Sequence, residues 1–449
     1  MKMALRWALG ICILFLTIGV AEVRGAAWQE VATPDGGQAR QGQPAGQAYM
    51  LPPDKLAKAI ELDRIRNILG MVAPLWSIAA LWLVLASGFA VRLEGWAQRT
   101  MRQRWLQGLL FFALLLVAIT FAGLPVDMIG HAVNVAYGIS IQSWGSWLGD
   151  QAKALGLTVA VGTPVLLLFN WMVRRWPRRF WLGVWLATLP LLVLSLFVAP
   201  LLEPLFNQYE PLASHHAALV DKLEAVVARN GTHIPPQRMF LMLASRKTNG
   251  LNAYVDGIGA TKRIVVWDTT AGRIPDDEIL FIFGHESGHY VLNHIPRMLA
   301  ISAVGLFFVF WASTAFAGML ARRCGIAWRL RTSEATGPSL GTRAGFVVLI
   351  FALTVAGFVM QPVTNGISRH FEHQADVYGQ EAIHGLVPDP RKTAVAAFNA
   401  LGAAYLEDPD PNPWIEFWEY DHPSVKNRAN FAAQYDPWAK GGHGEFFDR

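Results

Sequence analysis

The sequence predicts a mainly α, polytopic membrane protein with about seven transmembrane helices and a smaller extramembrane part that includes a short β-hairpin or sheet. Three observations predict it. Of the 449 residues, 53% are hydrophobic and only 16% charged, whereas soluble domains average about 25% charged. The apolar residues are gathered into long uninterrupted runs rather than spread over amphipathic stripes. The basic residues are concentrated in short loops between those runs, as the positive-inside rule describes for membrane proteins. The 18 Trp and 25 Phe suit a chain that needs apolar surface and interfacial anchors. Two cysteines, Cys12 and Cys324, exclude a disulfide scaffold and a cysteine-based zinc ribbon.

The elements follow in chain order. Residues 1–26 hold the apolar run Trp7–Ala21 behind Lys2 and Arg6, with small residues after it, the pattern of a signal peptide or a first membrane anchor. Residues 27–66 read as a flexible linker, rich in Gly, Gln and Pro over 33–48, followed by a short helix. Residues 67–202 contain four transmembrane helices, Asn67–Val91, Trp105–Val126, Ala154–Val173 and Phe180–Leu202. Residues 203–298 form an extramembrane region, and 299–368 contain two further spans, Leu299–Leu320 and Ala344–Ser368. Residues 369–449 return to the extramembrane part. Each of the six long runs has 20 or more residues without Asp, Glu, Lys or Arg. At 1.5 Å per residue that is enough to cross a hydrocarbon core of about 30 Å.

Loop charge sets the orientation. Arg92, Arg99, Arg102 and Arg104 lie in one connection, Arg174, Arg175, Arg178 and Arg179 in a second, and Arg322, Arg323, Arg329, Arg331 and Arg343 in a third. The connection Asp127–Gln151 on the other side has no Lys or Arg. The basic loops and the N-terminus, with Lys2 and Arg6, are therefore cytoplasmic, and 203–298 and the C-terminal part are on the outer face. The net charge of +5 is thus mostly a topological label, and no nucleic-acid partner is expected.

The chemistry sits beside the membrane. Pro275 and the acids Asp276, Asp277 and Glu278 mark a helix start. On that helix His285 and His289 are four residues apart, so their imidazoles leave one face and can hold one Zn²⁺. Glu286 is adjacent and suited to take a proton from the attacking water. A catalytic zinc needs a third protein ligand, and the best supplier is Ser-Arg-His-Phe-Glu-His-Gln-Ala-Asp at 368–376. There Glu372 and Asp376 share a helical face, which suits a ligand carboxylate and a carboxylate that orients a ligand imidazole. His370, His373 and His294 compete as ligands, although His294, five residues after His289, is turned off the two-histidine face. Further on, His422 and Arg428 are candidate hydrogen-bond donors to the oxyanion formed when water attacks a peptide carbonyl. Leu-Asn-Ala-Tyr (251–254) and Arg-Ile-Val-Val-Trp-Asp (263–268), with Gly257 and Gly259 between them, predict a hairpin. A strand there would bind an extended peptide by strand addition, with Asn252 on a substrate carbonyl.

In their order, N-A-Y (252–254), H-E-x-x-H (285–289), S-R-x-x-E-x-x-A-D (368–376) and H-P-x-x-x-x-R (422–428), with two spans between the histidines and the glutamate, the motifs resemble those of the type I CAAX prenyl proteases. These are integral-membrane zinc metallopeptidases, and the resemblance runs from Asn67 to Arg428. It implies one zinc per chain held by His285, His289 and Glu372, with Glu286 as general base and Asp376 behind the ligands. It also implies His422 and Arg428 on the transition state, Asn252 and Ala253 on the substrate, and seven helices around an intramembrane chamber.

Members of that family trim C-terminal tripeptides from prenylated proteins or degrade misfolded membrane substrates. Prenylation is cytosolic, whereas the arginines here put the site outside. The expected activity is therefore hydrolysis of peptide bonds in membrane-associated or misfolded envelope proteins at the periplasmic face of a bacterial inner membrane. The expected partners are a peptide or protein substrate and the lipid bilayer, with a monomer as the working state. A CAAX-processing protease is the alternative within the family. A zinc-binding membrane chaperone or scaffold is the alternative outside it, and an intact Glu286 argues against that one, since a structural zinc needs no general base.

Overall fold

The computed structural model describes residues 47–333, 337–439 and 441–447, so the Trp7–Ala21 run and the linker before residue 47 lie outside the described residues. Among the described residues six helices are long and apolar enough to cross a membrane. They are α1 (Pro53–Ala86), α3 (Arg104–Ala136), α4 (Trp144–Arg175), α5 (Phe180–Leu202), α8 (His294–Cys324) and α9 (Arg343–Ala382). A shorter helix, α2 (Phe89–Thr100), follows α1 after a reversal at Gly88, whose φ of 69° is the left-handed conformation glycine adopts without strain.

The helices outrun the apolar runs, because backbone hydrogen bonding does not stop where the hydrocarbon does. The short helix expected before Asn67 is the first part of α1, which starts at Pro53. The expected span to Val91 stops at Ala86, and Val91 falls in α2. Helix α4 contains one π turn, Thr158–Gly162. Most important, α9 continues without a break for 40 residues from Arg343 to Ala382. The segment expected to follow the last span is the end of the span helix itself.

Among the described residues two large cores, beside a small one of Met242, Ala244, Tyr254, Val265 and Trp267 on the sheet, divide the chain. One packs α1–α5, α8 and the first half of α9 through Leu81, Phe111, Phe112, Leu115, Phe169 and Val347, with Phe112 edge-on to Phe111 and Phe346. There Glu94 accepts hydrogen bonds from the backbone N–H groups of Arg343 (3.2 Å) and Ala344 (3.1 Å), satisfying orphan donors at the start of α9. The other core joins segments far apart in sequence, including Leu223, Val266, Phe281, Tyr378, Phe398 and Ala429. Tyr49, Leu51 and Leu62 belong to this second core, and the Tyr49 hydroxyl donates to the Glu407 carbonyl at 2.8 Å.

The second core carries α6 (Ala217–Arg229), α7 (Asp276–Val291), α10 (Pro390–Tyr405), α11 (Pro413–Glu419) and α12 (Val425–Gln434). It also carries a four-stranded sheet of β1 (Tyr209–Pro211), β2 (Met239–Met242), β3 (Ala253–Asp256) and β4 (Arg263–Trp267). The strand order is β1-β2-β4-β3, with β2 and β4 parallel and the other pairs antiparallel. The expected hairpin is present, with Ala253 opposite Val266. Its turn needs Gly257: φ is +79°, and a Cβ there would lie 2.3 Å from the Thr261 carbonyl oxygen. The sheet adds β1 and β2, three and four residues long, too short to show a period of two. Strand β3 lies at the sheet edge, packed against α7.

Candidate metal centre

Helix α7 begins after Pro275, which caps it from the extended conformation rather than occupying its first turn. His285, Glu286 and His289 are buried on it. Glu372 and Asp376, also buried, sit toward the C-terminal end of α9. The two helices cross at glycines. A Cβ on Gly379 would lie 2.8 Å from the His285 backbone nitrogen, and one on Gly284 would lie 3.0 Å from the Gly379 carbonyl oxygen. This close approach is what brings two histidines and a carboxylate from different helices together.

His285, His289 and Glu372 offer ligand atoms that all lie within 4.8 Å of one another. His285 Nε2 is 3.3 Å from His289 Nε2 and 3.3 Å from Glu372 Oε2, and His289 Nε2 is 3.5 Å from Glu372 Oε1. On its other side His285 Nδ1 is 2.8 Å from Asp376 Oδ1. The carboxylate accepts there, so Nδ1 carries the proton and Nε2 presents a bare lone pair. An imidazole lone pair, a second ring nitrogen and a carboxylate thus converge in a buried space. That is a set of acceptors whose mutual repulsion a divalent cation relieves, and two nitrogens with one oxygen suit zinc. Burial opposes a charge on His285, but Asp376 and Glu372 outweigh it, so its pKa stands above the usual imidazole value.

The remaining predicted residues surround this set. Arg428, on α12, donates from Nε (2.9 Å) and Nη2 (2.5 Å) to both oxygens of Asp376, and Nη2 is 4.0 Å from Glu372 Oε2. Burial alone would disfavour its charge, but Asp376 more than compensates and pushes its pKa above the usual arginine value. Two of its donors are therefore committed to Asp376. His422 Nε2 is 3.3 Å from Glu372 Oε2, while Nδ1 is held by Asp421 at 2.5 Å. Asn252 immediately precedes β3, and Ala253 is its first residue. The Asn252 backbone is fixed by Thr270 and by the Trp267 N–H, and its side chain is partly exposed. Tyr290, next to His289, ties α7 to this strand by donating to the carbonyls of Val255 (3.3 Å) and Gly257 (3.0 Å). Burial first, then Asp256 and Glu286, push its phenol pKa up and keep that donor protonated.

Of the competing ligands, His370 and His373 are exposed on α9. His294 is buried but touches His289 through Nδ1, at 3.1 Å, instead of joining the ligand set. Three further groups had no assigned role from sequence. Asp421 holds His422, and Gln374 holds His294 Nε2 at 3.1 Å. Arg369 donates to the carbonyls of Glu416 (2.9 Å), Phe417 (3.4 Å) and Tyr420, at the end of α11 from which the chain passes to His422. Arg369 was visible in the S-R-x-x-E motif. The other two had no signal beyond adjacency to it or to His422.

Residues 214–436 match peptidase family M48, and residues 37–208 match the CAAX prenyl protease N-terminal family described as five membrane helices. The chain is 32% identical to an uncharacterized metalloprotease of Bacillus subtilis over 398 residues, covering 88% of this chain and 89% of that protein. It is 27% identical to CAAX prenyl protease 1 of Saccharomyces cerevisiae, covering 72% and 71% respectively. The fold matches the crystal structure of S. mikatae Ste24p with a TM-score of 0.71 at 22% identity, over 95% of this chain and 97% of that one.

Proposed function

Because the chain belongs to peptidase family M48 and is a membrane zinc metalloendopeptidase, we propose that it hydrolyses peptide bonds of membrane-associated or misfolded envelope proteins, using His285, His289 and Glu372 to hold one zinc. The observation that carries the site assignment is the convergence of the two Nε2 atoms and the Glu372 carboxylate beside Glu286. A zinc ion bound there supplies Lewis acidity, polarising the scissile carbonyl and acidifying a water. Glu286 takes the proton of the attacking water and passes it to the leaving amine. His422, whose Nδ1 faces Asp421 and whose Nε2 faces Glu372, acts as the imidazolium, with both nitrogens as donors, and donates from Nε2 to the developing oxyanion. Arg428 holds Asp376 and adds positive charge behind the ligands. The substrate lies extended along β3, with Asn252 and Ala253 fixing its register.

The reading of a bacterial inner-membrane protein with an outward-facing site rests on the thirteen loop arginines. They cluster at the helix ends remote from the metal ligands: Arg343 and Glu372 are 29 residues apart on one helix, roughly 44 Å at 1.5 Å per residue. The test replaces Glu286 by Gln and compares membrane proteomes. Cleavage should cease while zinc is retained, and full-length substrates should accumulate only in the variant. Wild-type cleavage by Glu286→Gln would refute the mechanism, and a reporter fused after Arg449 that works only in the cytoplasm would refute the topology. A second reading, CAAX processing, is favoured by the similarity to the yeast CAAX prenyl protease 1. Cleavage of a prenylated C-terminal peptide in preference to an unmodified one would select it.

A further inference from the structure

His294 belongs to the metal site without ligating. Five residues beyond His289, it would point away if α7 simply continued. Instead α7 stops at Val291, and Asn293 adopts a left-handed conformation (φ 57°) before α8 begins at His294. That reversal folds the His294 ring back against His289, with centroids 5.1 Å apart and planes at 76°. The ring is 1% exposed, and its two nitrogens have different partners. Nε2 is 3.1 Å from Gln374 Oε1, and Nδ1 is 3.1 Å from His289 Nδ1.

These contacts determine where the protons are. An amide oxygen accepts only, so His294 Nε2 carries the hydrogen of the neutral ring. His294 Nδ1 is then an acceptor, and the hydrogen between the two rings belongs to His289 Nδ1. A neutral His289 protonated on Nδ1 has a lone pair on Nε2, the atom that faces His285 and Glu372. The opposite amide orientation would put a hydrogen on His289 Nε2 and leave it unable to bind a metal.

We propose that Gln374 and His294 form a relay that fixes the tautomer and ring orientation of His289, as Asp376 and Arg428 do for His285. Gln374 is two residues from Glu372 on α9, so the relay also ties the ligand on α7 to the helix that supplies the ligand carboxylate. His294 and Gln374 are positioning residues. The inference rests on His289 being a zinc ligand.

The test measures zinc affinity of the full-length chain in detergent by competition with a chelator, together with the visible spectrum of the Co²⁺-substituted protein. Partners behind metal-bound histidines typically contribute 10–100-fold in affinity. His294→Phe, which keeps the bulk and removes the acceptor, should lose that much and change the Co²⁺ spectrum. His294→Asn, whose amide oxygen can accept from His289 Nδ1, should stay within about threefold of wild type on the same scale. Should His294→Phe fail to fold, Gln374→Leu against Gln374→Glu reads the same relay, with loss expected only for the leucine. Wild-type affinity in His294→Phe or Gln374→Leu overturns the relay, as does equal loss in His294→Phe and His294→Asn. His289→Ala separates the two levels: retention of zinc by that variant would overturn the ligand assignment itself.

Discussion

Replacing Asp376 by Asn should weaken zinc binding and stability together, and the structure indicates how much of each. Asp376 is 3% exposed and accepts from His285 Nδ1 at 2.8 Å and from Arg428 at 2.9 and 2.5 Å. Asparagine keeps the shape but removes the charge and offers one acceptor where two were used. It must aim its NH₂ at either the His285 N–H or the guanidinium, donor against donor. The Arg428 charge is then left in a buried position with Glu372 4.0 Å away as its remaining carboxylate contact. Two unit charges about 4 Å apart interact by about 4 kcal/mol at an effective dielectric of 20, and breaking a buried pair from one side costs about 3–5 kcal/mol. Loss of the partner that orients His285 should in addition cost roughly 10–100-fold in metal affinity. Thermal unfolding of the metal-free protein reads the first quantity, and chelator competition reads the second. Adding Arg428→Met to Asp376→Asn separates them: stability should largely return because no orphan charge remains, while zinc affinity should stay low. An Asp376→Asn protein with wild-type zinc affinity would refute the role of Asp376 behind His285. A double variant no more stable than the single one would refute the orphan-charge account.

Other predictions follow from the same geometry. Gly379→Ala drives a methyl to 2.8 Å from the His285 backbone nitrogen, so it should destabilise by about 1–3 kcal/mol and reduce zinc occupancy, measured by metal analysis after purification. Arg369→Ala removes three hydrogen bonds from the chain leading to His422. It should lower kcat with zinc content unchanged, and it should have little further effect in a His422→Ala background. Glu278, whose pKa burial and then Asp277 raise to about 7, is favoured in its protonated form by folding. Its contribution is therefore lost as pH rises from the unfolded value near 4.5 through about 7. Glu278→Gln should raise Tm at pH 8 but not at pH 4.

What was legible in the sequence is what a short-range rule controls. A span needs about 20 apolar residues because of bilayer thickness, and six runs met it. Two histidines on one helical face need a spacing of four, and His285 and His289 have it. What was not legible depends on contacts between segments far apart in sequence or on a single backbone angle. Strands β1 and β2 are too short to show alternation and exist because β2 has β4 to pair with and β1 has β2. Helical periodicity turns His294 off the ligand face, and it does stay out of the ligand set, but its contact with His289 was not legible, because it depends on Asn293 leaving the helical region and reversing the chain. The continuity of α9 was hidden because the apolar run ends near Ser368 while the helix runs on to Ala382. That continuity has a mechanical consequence. Glu372 is rigidly attached to a membrane span whose first turn is capped by Glu94 of α2, while His285 and His289 ride on α7, held to α9 at Gly284 and Gly379. The metal geometry therefore depends on one glycine crossing between a membrane-anchored rod and a helix of the peptidase core. A substitution at that crossing should disturb zinc binding more than one of similar size in either core.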